Sequence, residues 1–258
     1  MLELLREYSR QRHLVWVLTQ RTLVARYRGT ALGFLWTFLH PLLLLVVYAL
    51  VFGVFVRMDV PHYAAFLFAG LLPWWWFAKT LAISTSSILS DAPWVRQAAF
   101  SPTIPPLVTN LAGLVDFALG LPILLAVLAW QGVPPRPVLL YLPLLCLLQF
   151  QLALGLGLGL SALAVRFRDT IQLVQALTPL LFFLTPIIYP ASMVPERFSW
   201  LLTLNPLAHL AQAYQAVLYH GQAPAPLGLA VVFGLGALSC FVGERVLDAL
   251  RDRIPEEL

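Results

Sequence analysis

Long uninterrupted runs of apolar residues, separated by short polar breaks, dominate this chain. Residues 31–56 carry no ionised side chain, and residues 63–88 carry only Lys79. Residues 103–130 carry only Asp116, and further apolar runs cover 138–165, 171–189 and 226–243. A bilayer-spanning helix needs roughly 20 mostly apolar residues, so the pattern predicts six membrane-spanning helices. The stretch between the fifth and sixth runs is also apolar. Pro195, Asn205-Pro206 and His220-Gly221 interrupt it, which predicts re-entrant or interfacial helices there and no seventh span.

The segment before the first run has a different period. Over 3–28, Glu3, Arg6, Glu7, Arg10, His13, Gln20, Arg21 and Arg28 fall on one side of a helical wheel. Leu4, Leu5, Tyr8, Val15, Trp16, Leu18 and Leu23 fall on the other, with Arg12 and Arg26 intruding on the apolar side. This predicts an amphipathic helix in the plane of the headgroups, with long arginine stems reaching past the apolar face. It lacks the form of a cleavable leader. Between the second and third runs, Ser90 or Asp91 offers a cap, Pro93 suits a first turn and Pro102 a stop. A helix of about two turns is expected there, presenting Trp94 and Phe100. The whole chain reads as one domain, 1–258. It divides into an interface helix at 1–28, a six-span region at 31–246 and a tail at 247–258.

Composition agrees with the pattern: 60% of the 258 residues are hydrophobic and 11% are charged, against about 25% charged in soluble domains. Charge placement then gives the orientation. With both termini inside, the inner segments hold Arg6, Arg10, Arg12, Arg21, Arg26, Arg28, Arg96, Arg166, Arg168, Arg245, Arg251 and Arg253. The outer loops hold only Arg57, Arg136 and Arg197. Positive residues concentrate on the cytoplasmic side of membrane proteins, so both termini are placed in the cytoplasm. The net charge of +4 follows from this bias and calls for no nucleic-acid partner. Lys79 and Asp116 are intramembrane charges, which are costly in lipid and should face protein or water.

Candidate chemistry is sparse. The chain has one lysine and no glycine-rich loop ending in Lys and Ser or Thr, so ATP hydrolysis by that route is excluded. No nucleophile elbow, zinc-binding His-Glu-x-x-His helix or Cys-x-x-Cys pair occurs. His40, His209 and His220 lack partners at metal spacing and are expected to be packed or interfacial; no metal is expected. Cys146 and Cys240 read as apolar fillers without a disulfide. Gly155 and Gly159, and Gly29 and Gly33, have the spacing that lets helices approach closely.

The residues that are present resemble a known family. Arg26-Tyr27-Arg28-Gly29-Thr30-Ala31-Leu32-Gly33-Phe34-Leu35-Trp36, leading into Leu39-His40-Pro41-Leu42, is similar to the entry of the first span in type-2 ABC permeases that export polysaccharides. The resemblance continues in family order through Phe68-Ala69-Gly70-Leu71-Leu72-Pro73-Trp74, Val115-Asp116-Phe117 and Arg166-Phe167-Arg168-Asp169. It closes with Phe183-Leu184-Thr185-Pro186-Ile187-Ile188-Tyr189-Pro190 and Leu204-Asn205-Pro206-Leu207. His40 stands where such permeases often have Asn or Glu, and Ser101 separates Phe100 from Pro102.

The resemblance implies a half-transporter of the bacterial cytoplasmic (inner) membrane. It would pair with a second copy and with two copies of a separate ATPase subunit. ATP and magnesium would bind the ATPase, and this chain would hold no cofactor. Pro93, Trp94, Arg96 and Phe100 would form the ATPase-docking helix. The cargo would be a lipid-linked glycan such as an O antigen or capsular chain. Aromatic faces can stack on sugars, which makes Trp36, Tyr48, Phe52, Trp74, Trp75, Phe182, Phe183 and Tyr189 candidates for a conduit, with Trp76 and Phe77 beside them. The clustering places that conduit on spans one, two and five. Guanidinium groups bind phosphate with paired hydrogen bonds, so Arg26 and Arg28 are candidates for a lipid pyrophosphate. The same architecture also fits a permease for teichoic acid, a drug or a lipid. A membrane-embedded glycosyltransferase is a further alternative, although no pair of carboxylates or nucleophile at depth supports it.

Overall fold

The computed structural model describes residues 8, 10–27, 35–96, 100–251 and 253–257. Every regular element among them is helical, with no strand. Helix α1 (Arg12–Tyr27) leads toward α2 (Trp36–Tyr48), which runs on into a π-helical stretch, Ala49–Phe55. The long α3 (Tyr63–Ser90) follows, then the short α4 (Ala92–Val95) and α5 (Ile104–Trp130). A 3-10 turn at Pro137–Tyr141 opens α6 (Leu142–Arg166), and α7 (Asp169–Leu184) comes next. Helices α8 (Ser199–Leu204) and α9 (Pro206–Gln215) lie between α7 and α10 (Pro226–Leu250); α11 (Ile254–Glu257) ends the chain.

Among the described residues, four segments are long and apolar enough to cross a bilayer: α3, α5, α10, and α6 together with its opening turn. Two shorter apolar helices, Pro41–Phe55 and α7, accompany them. The fifth expected run is thus a helix that stops at Leu184, where the chain turns extended at Thr185. The part of the first run at 31–34 lies outside the described residues.

Helix α3 is the centre of the bundle. In its most apolar window 72% of residues are buried inside the protein, against 28–33% for the other long helices. Ala65, Leu67, Phe68, Ala69 and Leu71 are fully enclosed. Pro73 lies inside α3, where proline removes a backbone donor. There the Gln149 side chain from α6 donates to the Pro73 carbonyl at 2.9 Å.

Helices α6 and α10 form the most extensive helix pair. Glycine makes this possible. A Cβ on Gly155 would come within 2.3 Å of the Cys240 backbone nitrogen, and one on Gly243 within 2.2 Å of the Gly155 carbonyl oxygen. Lipid does not drive helices together as water does, so close van der Waals packing carries the association. The Gly155/Gly159 spacing therefore serves contact within the chain, and its counterpart is Gly243.

Tyr8 and α11, the first and last described parts of the chain, lie at one end of the bundle. Ile254 of α11 is buried with Ile88, Val95, Val165 and Leu247, and Tyr8 packs against the same cluster. Arg166 and Glu257 form an ion pair at 2.9 Å. The tail expected from 247 is thus a continuation of α10 to Leu250 followed by a docked hook. At the opposite end, Arg136 donates to the His220 carbonyl at 2.9 Å, and Tyr219 donates to the carbonyl of Pro61.

Candidate functional site

Helix α1 lies against the first turns of α5. Its packed face is Val15, Leu18 and Thr19, set over Ile104, Leu107 and Val108. Thr19 donates to the Val15 carbonyl at 2.8 Å and Thr22 to that of Leu18 at 2.9 Å, so both hydroxyls are satisfied within the helix. The amphipathic reading therefore holds for Val15 and Leu18. Trp16 departs from it: it is 59% exposed, along with Val17 and Val24. The helix packs one apolar stripe on the bundle and leaves a second outside. Residues 1–7 and 28, including part of the expected helix and Arg28, lie outside the described residues. For Arg26 the helical backbone is described but not its side chain, so neither pyrophosphate candidate has a described side chain.

The segment after α3 begins with a turn of helix, α4; residues 97–99, where a second turn is expected, lie outside the described residues. Asp91 occupies the N-cap position without a side-chain cap bond, and Pro93 sits in the first turn. Trp94 and Arg96 are exposed as expected. Phe100 is half-buried, packing with Val15, Ile104 and Val108. The two aromatics thus differ: Trp94 is presented outward and Phe100 anchors the turn to α1 and α5. Sequence pattern could not separate them, because Phe100 precedes the stop at Pro102 and its direction depends on α1.

A cavity of about 420 Å³ lies between α1 and this turn, lined by Leu18, Arg21, Thr22, Asp91, Trp94 and Phe100 among others. The Arg21 guanidinium stands 5.7 Å from the Trp94 ring centre, within cation–π range. Asp91 reaches solvent, yet desolvation around it raises its carboxyl pKa, while the Arg21 charge works in the other direction.

The aromatic candidates come together on three helices. Phe52 and Tyr48 have ring centres 6.2 Å apart, and Tyr48 lies 5.8 Å from Phe182. Phe182 lies 5.5 Å from Trp74, and Trp74 lies 6.2 Å from Phe77. Phe183 makes an edge contact with Phe182 at 5.3 Å, and the Tyr189 hydroxyl donates to the Phe183 carbonyl at 2.8 Å. Trp74 and Phe182 are buried within the single chain, whereas Phe183 is 57% exposed. Trp75 is half-buried, 6.4 Å from Phe68. Trp36 is exposed at the start of α2, apart from the string. Adjacent residues on α7 therefore split: Phe182 braces α7 on α3, and Phe183 faces outward.

The turn between α8 and α9 reaches the same region. Asn205 caps α9, accepting from the Leu207 backbone N–H at 2.9 Å, and its amide donates to Thr185 Oγ1 at 3.1 Å. Leu207 and Leu210 share a small cavity with Pro73, Trp74, Phe77 and Gln149. The start of α9 thus lies beside residues well along α3, while His220, after α9, is tied to Arg136. His209 bonds the Thr203 carbonyl at 2.9 Å, the packed role expected of it. His40's side chain lies outside the described residues. Cys146 and Cys240 are free thiols.

The two intramembrane charges meet. Lys79 donates to Asp116 Oδ2 at 2.8 Å, joining α3 to α5. Among the described residues no cluster of three His, Cys, Asp or Glu side chains is arranged to hold a metal.

A family model described as ABC-2 type transporter matches residues 13–219. The chain is 34% identical to the O-antigen export system permease protein RfbA of Myxococcus xanthus, over 100% of both chains. It is 30% identical to a protein of the same name from Klebsiella pneumoniae, over 94% of this chain and 93% of the other.

Proposed function

This chain belongs to the ABC-2 type transporter family, and on that premise we propose that it is the membrane permease of an exporter carrying a lipid-linked, O-antigen-like polysaccharide across the bacterial cytoplasmic membrane. The observation that carries this reading is end-to-end similarity to relatives named as O-antigen export permeases. The all-helical bundle with four long apolar helices agrees with a membrane role.

On this reading the two shorter apolar helices also cross, for six spans. Both termini then lie in the cytoplasm, since Tyr8 and α11 share one end of the bundle and that end carries most of the arginines. The α8–α9 pair re-enters from the outer side, with Asn205 near its tip. The transporter is a pair of these chains above two ATPase subunits, which bind ATP and magnesium. Trp94 and Arg96, held by Pro93 and Phe100, contact the ATPase. Arg26 and Arg28 meet the pyrophosphate of the arriving lipid. The exposed breadth of α2 and α7, including Val46, Val47, Leu177 and Leu180, is cover for a second copy and for the conduit. The aromatic string of Tyr48, Phe52, Trp74 and Phe182 stiffens that wall, and Trp36, Trp75, Phe183 and Tyr189 supply its sugar-facing rings. All 258 residues act as one permease domain.

The test is reconstitution. The chain is co-purified with the ATPase encoded beside it, and hydrolysis is measured with and without lipid-linked glycan from the same cell. Stimulation by that glycan, with surface glycan restored in an export-deficient strain, is the expected result. Hydrolysis indifferent to glycan, with no surface glycan restored, overturns the proposal.

A further inference from the structure

The Lys79–Asp116 pair is in an unusual place for its exposure. Asp116 stands about 18 Å of helix rise from Ile104 and about 21 Å from Trp130, so it is close to the middle of α5. Lys79 stands about 16 Å from Ser90 and about 24 Å from Tyr63. With a hydrocarbon layer of about 30 Å centred on α3 and α5, an ammonium held 2.8 Å from the Asp116 carboxylate lies about 10 Å or more inside it. A lysine side chain reaches only about 6 Å from its Cα. It cannot remain bonded to Asp116 and also extend to either headgroup layer. This holds whichever end of the bundle is cytoplasmic.

At that depth the Lys79 side chain is still 48% exposed, against 14% for Asp116. Lipid is a poor neighbour for such a group, because charges at depth face protein or a water-filled cavity. The surroundings on α3 are also unlike a lipid face. Trp75, Lys79, Ala82, Ser86 and Ser90 recur at helical spacing along one side, half-buried or exposed, with Ala78, Ile83 and Leu89 at its margin. Between Leu227 and Val242 the exposed residues of α10 are Leu227, Ala230, Phe233, Gly234, Leu238, Phe241 and Val242, with no charge or hydroxyl; Arg245 and Asp248 are exposed only nearer its end. The stripe on α3 pairs an aromatic face with a cation and hydroxyls, a combination suited to a wet surface that carries a hydroxyl-rich chain.

We infer that the Lys79–Asp116 pair and the stripe from Trp75 to Ser86 form a polar contact in the wall of a water-filled conduit, where the Lys79 ammonium donates hydrogen bonds to hydroxyls or acidic groups of a passing glycan. Asp116 is the positioning residue, fixing the ammonium and offsetting its charge so that the contact stays weak enough to release. The inference rests on the exporter reading above and adds a site at mid-membrane that the aromatic pattern does not reveal.

Cysteine accessibility tests it. Cys146 and Cys240 are replaced by Ser, and single cysteines are introduced as Lys79→Cys, Ser86→Cys and Leu238→Cys in the full-length chain with its ATPase. Membranes from cells that make the glycan, and from cells that do not, are treated with a charged, water-borne methanethiosulfonate. The reagent needs a thiolate, which hydrocarbon disfavours. Lys79→Cys and Ser86→Cys should react about tenfold or more faster than Leu238→Cys, and glycan production should slow both. If both react as slowly as Leu238→Cys, the stripe is covered by lipid or by a second copy and the inference is wrong. Equal reaction with and without glycan also overturns it, since the water there would not be on the cargo path. Surface glycan restored by the parent chain separates these results from failure of the exporter reading: without restoration, both readings fall. In the same cells Lys79→Met should lower surface glycan several-fold, while the exchanged pair Lys79→Asp with Asp116→Lys keeps assembly with the ATPase.

Discussion

Replacing Gly155 or Gly243 by alanine should force α6 and α10 apart. A Cβ on Gly155 would sit 2.3 Å from the Cys240 nitrogen and 2.5 Å from the Ser239 carbonyl carbon, and one on Gly243 would sit 2.2 Å from the Gly155 oxygen. Ordinary contact begins near 3.4 Å, so the shortfall is about 1 Å, and the obstacles are backbone atoms that no rotamer change can move. A gap of that size removes about a quarter to a half of the dispersion energy of the facing atoms. Overpacking of this kind costs about 1–3 kcal/mol, and this tight backbone contact belongs at the upper end, about 2–3 kcal/mol. The Cys240 thiol would also lose its contact with the Gln151 carbonyl at 3.2 Å. Gly234 provides the control: it is on α10 as well, but a Cβ there meets nothing within 4 Å. Thermal unfolding in detergent, followed by the fraction of monodisperse protein, should show Gly155→Ala and Gly243→Ala well below the parent and Gly234→Ala level with it. The double variant should lose less than the two losses added, because one separation accommodates both methyl groups. If Gly155→Ala and Gly243→Ala melt with Gly234→Ala, the account of this interface is wrong.

Three other outcomes follow from the same structure. Asn205→Ala removes the cap on α9 and the tie to Thr185 and should lower stability by about 1 kcal/mol, read by the same unfolding assay; no loss would mean the bonds are not held in the membrane. Trp94→Ala should uncouple ATP hydrolysis from glycan export with stability unchanged, whereas Phe100→Ala should lower stability by about 2 kcal/mol or more because its ring is packed; equal stability loss in both would contradict the division of roles. Ile254→Asp places a charge in the cluster with Val95 and Val165 and should free the C-terminal hook, so that trypsin cleaves at Arg251 and Arg253 several-fold faster than in the parent; unchanged cleavage would show that the hook is not docked.

The apolar runs were legible because each long helix is built from one dominantly hydrophobic stretch; the ends of α3 and α5 fall within two residues of those read from pattern, whereas α10 continues seven residues past its apolar run through Glu244, Arg245 and Asp248. What pattern could not supply was the relation between helices. Gly155 and Gly159 advertise a close approach, but nothing in their spacing says that Gly243, far along the chain, is the surface they meet. Lys79 and Asp116 each stood out as a charge in an apolar run. Their pairing depends on the register of α3 against α5, which no local period encodes. Trp74 and Phe182 resemble Phe183 and Trp75 in composition and depth, yet two are core and two are not. The difference is which side of α3 and α7 the neighbouring helices occupy.

The hook at the chain end had a signal that pattern reading passed over. Ile254 is a lone large apolar residue in a polar stretch, Arg251-Asp252-Arg253-Ile254-Pro255-Glu256-Glu257, and an isolated apolar residue in such a setting is either exposed at a cost or docked. Here it is docked, with relative exposure of 1%, against α6 in the cluster that also holds Val95 of the α4 turn. Phe100 holds the same turn from the α1 side. The element expected to receive the ATPase is therefore braced from the α1 side and by the C-terminal hook, while Trp94 and Arg96 are left to face outward. The Ser90 end of α3 leads directly into this braced turn, and the middle of α3 carries the Lys79–Asp116 pair, so one continuous helix joins the proposed docking turn to the proposed mid-membrane contact.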